Sequence, residues 1–249
     1  MWRIPFVIGL LIAPLGWWIR RHLEEPEESV EARAKGETTN LRATLAKYPR
    51  AIAANLALTT CATASVYTFI IYMPTFVARQ FNIHLQDAFK AQAIGLIAFI
   101  ATVLVAGALS DRYGRKVVML ASLVPYALLI YPLFTWVQSA PVLANLILVY
   151  TVLSIFLGGF LGPFSTALGE QFPTKVRSSG LAICYNLSVM VFGGFAQFIV
   201  TWLIQSTGVT LAPVLYALAG SVTGVIGCLL ILPDTRLELR ESVLRSRAI

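Results

Sequence analysis

Long stretches without a charged residue alternate with short polar turns along the chain. Ala51–Ala78, Ala91–Ser110, Val117–Gly169 and Ser178–Pro233 run for 28, 20, 53 and 56 residues without Asp, Glu, Lys or Arg. A helix rising about 1.5 Å per residue needs about 20 apolar residues to cross a hydrocarbon core of about 30 Å. The two shorter runs therefore hold one span each, and the two longer runs hold two each. Turn chemistry divides the longer ones: Gln138, Ser139 and Pro141 in the first, Gln205, Ser206, Thr207 and Gly208 in the second. Ile4–Ile19 adds a shorter apolar run at the start. The pattern predicts an all-α membrane protein of about seven transmembrane helices, near residues 3–19, 52–77, 90–110, 117–137, 142–167, 179–205 and 211–232. None of these segments keeps the polar outer face of a helix on a soluble core.

Composition agrees: 57% of residues are hydrophobic, 12% are charged, and the mean hydropathy is +0.76, against about 25% charged in a soluble domain. Charge then sets an expected orientation. Of the 19 Lys and Arg, 16 fall in segment 20–50, the turn at 111–116, the loop at 169–178 and the tail; Arg3, Arg79 and Lys90 fall on the other loops. Basic residues stay cytoplasmic, so the N-terminus is expected outside and the C-terminus inside the cell (inner) membrane. The net charge of +7 is accounted for by topology and attraction to anionic lipid, with no nucleic acid partner. Cys61, Cys184 and Cys228 lie within expected spans, far apart in sequence, and read as packing residues and not as a disulfide or metal set. No cofactor, metal or enzymatic activity is expected: both histidines lie in loops, out of reach of a cysteine. The opening segment ends in Trp17, Trp18, Arg20 and Arg21, which suits a span leaving the membrane better than a signal-peptide cleavage site.

The turn between the third and fourth spans, "GALSDRYGRK", packs four charges into Asp111–Lys116. A tight positive-inside turn accounts for Arg112, Arg115 and Lys116, with Gly114 supplying a permissive backbone. It does not account for Asp111. An acid at the membrane edge needs a partner, either a neighbouring arginine or a helix end, and such a pairing can form in one conformation and break in another.

The spacing of Gly107, Asp111, Arg112, Gly114, Arg115 and Lys116 resembles the signature loop of the major facilitator superfamily. "EQFPTKVR", with Glu170 and Arg177, resembles the cytoplasmic loop between that family's tenth and eleventh helices; "PDTRLEL", Pro233–Leu239, resembles the exit from its twelfth. "WRIPF", Trp2–Phe6, and "YNLSVMVFGGFAQFIV", Tyr185–Val200, are similar to the metabolite:proton symporter branch. The resemblance implies a gating motif at 107–116 and a loop network at Glu170 and Arg177. It also implies that residues 1–19 are the family's sixth helix, 20–50 the central cytoplasmic loop, 51–232 the six-helix C-terminal half and 233–249 a cytoplasmic tail. The N-terminal half of the twelve-helix carrier would then be missing. The implied activity is proton-coupled transport of a small organic acid such as citrate; the same branch carries proline/betaine, α-ketoglutarate and shikimate, and a non-transporting truncated remnant is a further reading.

No Asp, Glu, Lys, Arg or His falls mid-span, so a titrating proton carrier is expected in the missing half. Uncharged polar residues in the spans that line the cavity of this superfamily offer hydrogen bonds without the desolvation cost of a charge. The candidates for the substrate cavity are Asn55, Tyr67, Gln92, Tyr185, Asn186 and Gln197; for each, an interhelical hydrogen bond or an aromatic packing role is the plainer reading. Gly158 with Gly162, and Gly220 with Gly224, have the spacing of close helix packing, and Gly193–Gly194 that of a bend. A seven-helix receptor or retinal protein has the same topology, but no span holds the lysine a retinal Schiff base needs.

Overall fold

The computed structural model describes residues 14, 16–18 and 47–231. Pro14 and Gly16–Trp18 are helical and belong to a compact unit, Met1–Asn40, separate from Leu41–Ile249. Most of the expected first span, the central-loop segment up to residue 46 and the tail at 233–249 lie outside the described residues.

Six helices follow that are long and apolar enough to cross a membrane: α1 (Pro49–Gln80), α2 (Leu85–Tyr113), α3 (Arg115–Ser139), α4 (Leu143–Glu170), α5 (Val176–Thr207) and α6 (Ala212–Leu230). Each matches one expected span within a few residues. The helices overrun the charge-free stretches because their end turns carry charge: in α2, Asp87 sits in the first turn and pairs with Lys90 at 2.8 Å. Breaks occur where the backbone requires them. Gly114 separates α2 from α3 with φ 91°, and Gly208 ends α5 in the left-handed region at φ 69°; both conformations suit glycine.

Two spans contain a π-helical stretch, Val66–Tyr72 in α1 and Val189–Gly194 in α5. The first runs up to a proline. Pro74 has no N–H to give to the preceding turn, and the carbonyl of Ile70 instead accepts a hydrogen bond from the side-chain amide of Gln92 on α2. At the second, Tyr216 of α6 donates its hydroxyl to the Phe192 carbonyl at 2.8 Å.

Glycine sets the helix spacing. A Cβ on Gly158 would stand 2.8 Å from the Phe99 carbonyl oxygen, and one on Gly162 2.7 Å from that of Val103, so α2 and α4 meet backbone to backbone. Gly220, Gly224 and Gly227 bring α6 against Ala64, Cys61 and Leu58 of α1. Small residues replace the hydrophobic drive that lipid removes from helix association. Around Phe69 the core is aromatic: Tyr126 and Phe134 meet its ring edge-on, and Tyr150 lies 5.2 Å away between centroids. Ile97, Ile100, Leu104 and Leu128 are exposed, as residues facing lipid should be.

Candidate functional site

The charged turn is built around Arg115. This residue opens α3, where the helix dipole disfavours a cation, yet it is only 6% exposed. Its partners offset both penalties. One guanidinium nitrogen lies 2.5 Å from the Asp111 carboxylate and donates to the Ser110 hydroxyl at 2.9 Å; the other stands 3.6 Å from Glu170 at the end of α4. Ser110 in turn donates to the Gly107 carbonyl at 2.7 Å. The sharp reversal at Gly114 lets the last turn of α2 and the first of α3 face each other. A single buried cation thus joins the ends of three spans.

The expected residues divide accordingly. Asp111 pairs inside its own six-helix unit, with Arg115. Glu170 and Arg177, expected as one loop network, have different partners: Glu170 meets Arg115, whereas Arg177 donates to the Phe172 carbonyl at 3.3 Å within the α4–α5 connection. Arg112 is exposed and lies 5.7 Å from the centroid of the Tyr113 ring. Lys116 donates to the Leu229 carbonyl at 3.3 Å, and Arg50 to that of Leu230 at 3.0 Å. Both cap the C-terminal end of α6, where carbonyls lack helical partners and cations are favoured. The role of Arg50 was invisible in sequence, since its partner is 180 residues away.

The substrate-cavity candidates do not converge. Asn55 is buried and donates its amide to the Ala51 carbonyl of its own helix at 2.9 Å, leaving its side-chain oxygen without a partner. Gln92 serves the Ile70 carbonyl. The ring of Tyr67 packs where a Cβ on Gly193 would fall, 3.0 Å away, so it marks the α1–α5 contact. Asn186 donates to the Ala182 carbonyl at 2.7 Å on its own helix. Tyr185 is exposed and lines a small apolar recess with Phe164, Leu168 and Leu181.

Gln197 is different. It lines a cavity of about 500 Å³ between the C-terminal parts of α1 and α5, together with Tyr72, Arg79, Gln80, Thr201 and Gln205. In the sequence, Arg79 reads only as an orientation signal and Gln205 as part of a turn. The signal that finds them is spacing. Residues 197, 201 and 205 fall at i, i+4, i+8 on α5 and residues 72 and 79 at i, i+7 on α1, so each set shares one helix face.

Six long apolar spans packed through glycine, with a cluster of charge joining three of them at one end, define a multi-pass helical membrane protein. The chain belongs to the Major Facilitator Superfamily, whose family model matches residues 56–246. It is 30% identical over 224 residues to the citrate-proton symporter of Salmonella typhi, covering 90% of this chain and 52% of that protein. It is 31% identical over 225 residues to the citrate-proton symporter of Klebsiella pneumoniae, covering 90% and 51%. With the proline/betaine transporter of Escherichia coli (strain K12) the identity is 29% over 241 residues, covering 90% and 47%. The chain therefore spans about half the length of these curated relatives. No solved structure matches it.

Proposed function

We propose that the chain is one half of a secondary carrier that moves a small organic acid, citrate or a related carboxylate, together with protons. The observation that carries this reading is the Arg115 cluster. It holds α2, α3 and α4 together at one end through Asp111 and Glu170. The two carboxylates bind the same cation from different helices, so helix movement at this end exchanges one contact for another, as an alternating-access gate requires. Support for the solute comes from the citrate-proton symporters among its relatives. The proline/betaine transporters support a second reading, a carrier of zwitterionic solutes. Arg112 and Lys116 keep the gate on the cytoplasmic side in this reading, with the N-terminus outside.

One half supplies one wall of a central cavity, and no Asp, Glu, Lys, Arg or His of this chain falls mid-span. Proton coupling and uptake accordingly need the other half. Proteoliposomes holding only this chain are expected to show no pH-gradient-driven citrate uptake. Joined to the part of the Salmonella typhi symporter that it does not cover, the chain is expected to restore uptake. Saturable, proton-dependent uptake by the chain alone overturns the half-carrier reading. If proline or betaine competes in the joined protein and no di- or tricarboxylate does, the organic-acid assignment is wrong.

A further inference from the structure

The cavity between α1 and α5 is at the opposite end of the spans from the Arg115 cluster, because α1 and α5 begin at the cluster's end and run away from it. Two features set it apart. Its walls are mixed, with Gln197, Thr201 and Gln205 on α5 and Tyr72, Arg79 and Gln80 on α1 set among Ile71, Phe76 and Ile204, a polar content unusual for apolar spans. Hydrocarbon tolerates such groups poorly, so a face carrying them belongs against water or protein. The second feature is the charge. Among the described residues, no Asp or Glu lines the cavity. The nearest acid along the chain, Asp87, is held by Lys90 at 2.8 Å. Arg79 carries no ion pair among the described residues.

We propose that this cavity is a vestibule that captures the carboxylate of the carried solute, with Arg79 as its cation. A guanidinium presents paired N–H groups in the fork geometry that matches a carboxylate. The amides of Gln80, Gln197 and Gln205 and the hydroxyl of Thr201 supply further donors for the remaining lone pairs. The cavity volume, about 500 Å³, falls within the roughly 300–1,000 Å³ usual for small-molecule sites. Both helices present their C-terminal ends here, and the partial negative charge of a helix C-terminus repels an anion. Among the described lining residues, Arg79 is the one that supplies positive charge to an anion in the vestibule. The proposal rests on the carrier reading, and it names the group that citrate, proline and betaine share: a carboxylate.

Equilibrium dialysis of radiolabelled citrate against the purified 249-residue chain in neutral detergent tests it. Saturable binding is expected. Arg79→Gln should weaken it on the order of tenfold to a hundredfold, the range for losing a charge-assisted hydrogen-bonded contact. Arg79→Lys, which keeps the charge and loses the fork, should fall between. Gln205→Leu should weaken binding with Arg79 intact. Lys90→Gln removes a positive charge from the same end and should change binding by less than about twofold, as expected of a screened surface charge. The trimethyl ester of citrate should not compete, and added phosphatidylglycerol should not displace citrate. Absence of citrate binding, equal binding in Arg79→Gln, an equal loss in Lys90→Gln, or displacement by the lipid overturns the proposal. Uptake by the joined carrier separates its failure from that of the carrier reading. Arg79→Gln with normal uptake KM overturns the vestibule and leaves the carrier standing. Arg79-dependent binding with no uptake in any joined protein keeps the site and sinks the carrier.

Discussion

Arg115 and Asp111 make an unequal pair: the cation is buried while the carboxylate reaches into solvent. Screening limits what an exposed carboxylate adds to stability, so Asp111→Asn should cost at most about 1 kcal/mol. Arg115→Ala removes hydrogen bonds to a carboxylate and a hydroxyl at once, and should cost about 2 kcal/mol. Chemical denaturation in mixed micelles reads both values. Transport in the joined carrier should fall in both variants, whereas membrane abundance should hold in Asp111→Asn. Normal uptake by Asp111→Asn would reduce the turn to an orientation signal. Arg112→Ala should be milder than Asp111→Asn, since Arg112 is exposed and, among the described residues, lies over the Tyr113 ring and not in the Arg115 cluster. The members of this turn were legible because all of them lie within ten residues. Glu170 was legible as a motif residue, but its pairing with Arg115 was not, because only the packing of α3 on α4 brings residues 55 positions apart together.

At the scale of elements, charge-free runs located the six spans of residues 49–230, since a helix crossing hydrocarbon needs about 20 consecutive apolar residues. Glycine spacing located the close contacts as well: Gly158 and Gly162 meet the backbone of α2, and Gly220 and Gly224 meet α1. Of the irregularities, the stretch ending at Gly193–Gly194 was legible as a bend, and the one in α1 was not. A π-helical stretch changes which residues share a face, and nothing in the periodicity of 66–72 announces it. Gln92, a cavity candidate whose plainer reading is an interhelical hydrogen bond, makes such a bond to the Ile70 carbonyl, four residues before Pro74. That assignment predicts coupling between two residues on different helices. Gln92→Leu removes the side-chain donor from the half-buried Ile70 carbonyl and should cost about 1 kcal/mol. Pro74→Ala returns an N–H to α1, so Gln92→Leu should cost less in the Pro74→Ala background. A double-mutant cycle on thermal stability measures the difference; strict additivity would mean that the amide and the proline act independently.

For the molecule as a whole, hydrogen bonds identify one end of the bundle without reference to the membrane. Arg50 and Lys116 both reach the last carbonyls of α6, and Arg115 reaches Glu170. The start of α1, the α2–α3 turn, the end of α4 and the end of α6 therefore lie together. Arg79 and Lys90 lie at the other end, and this asymmetry is what would hold the bundle in one orientation. The prediction is that the Arg115 end is cytoplasmic. Cys61, Cys184 and Cys228 are all buried, so cysteines introduced at the ends can be labelled against a quiet background. Tyr113→Cys, at the exposed turn, should react with a membrane-impermeant maleimide in inverted vesicles and not in intact spheroplasts. Ile83→Cys, in the connection between α1 and α2, should do the reverse. The opposite pattern would place the vestibule around Arg79 on the cytoplasmic side, making it an exit rather than an entrance for solute brought into the cell. Labelling of both positions from both sides would show that the basic residues of this chain do not fix a single orientation.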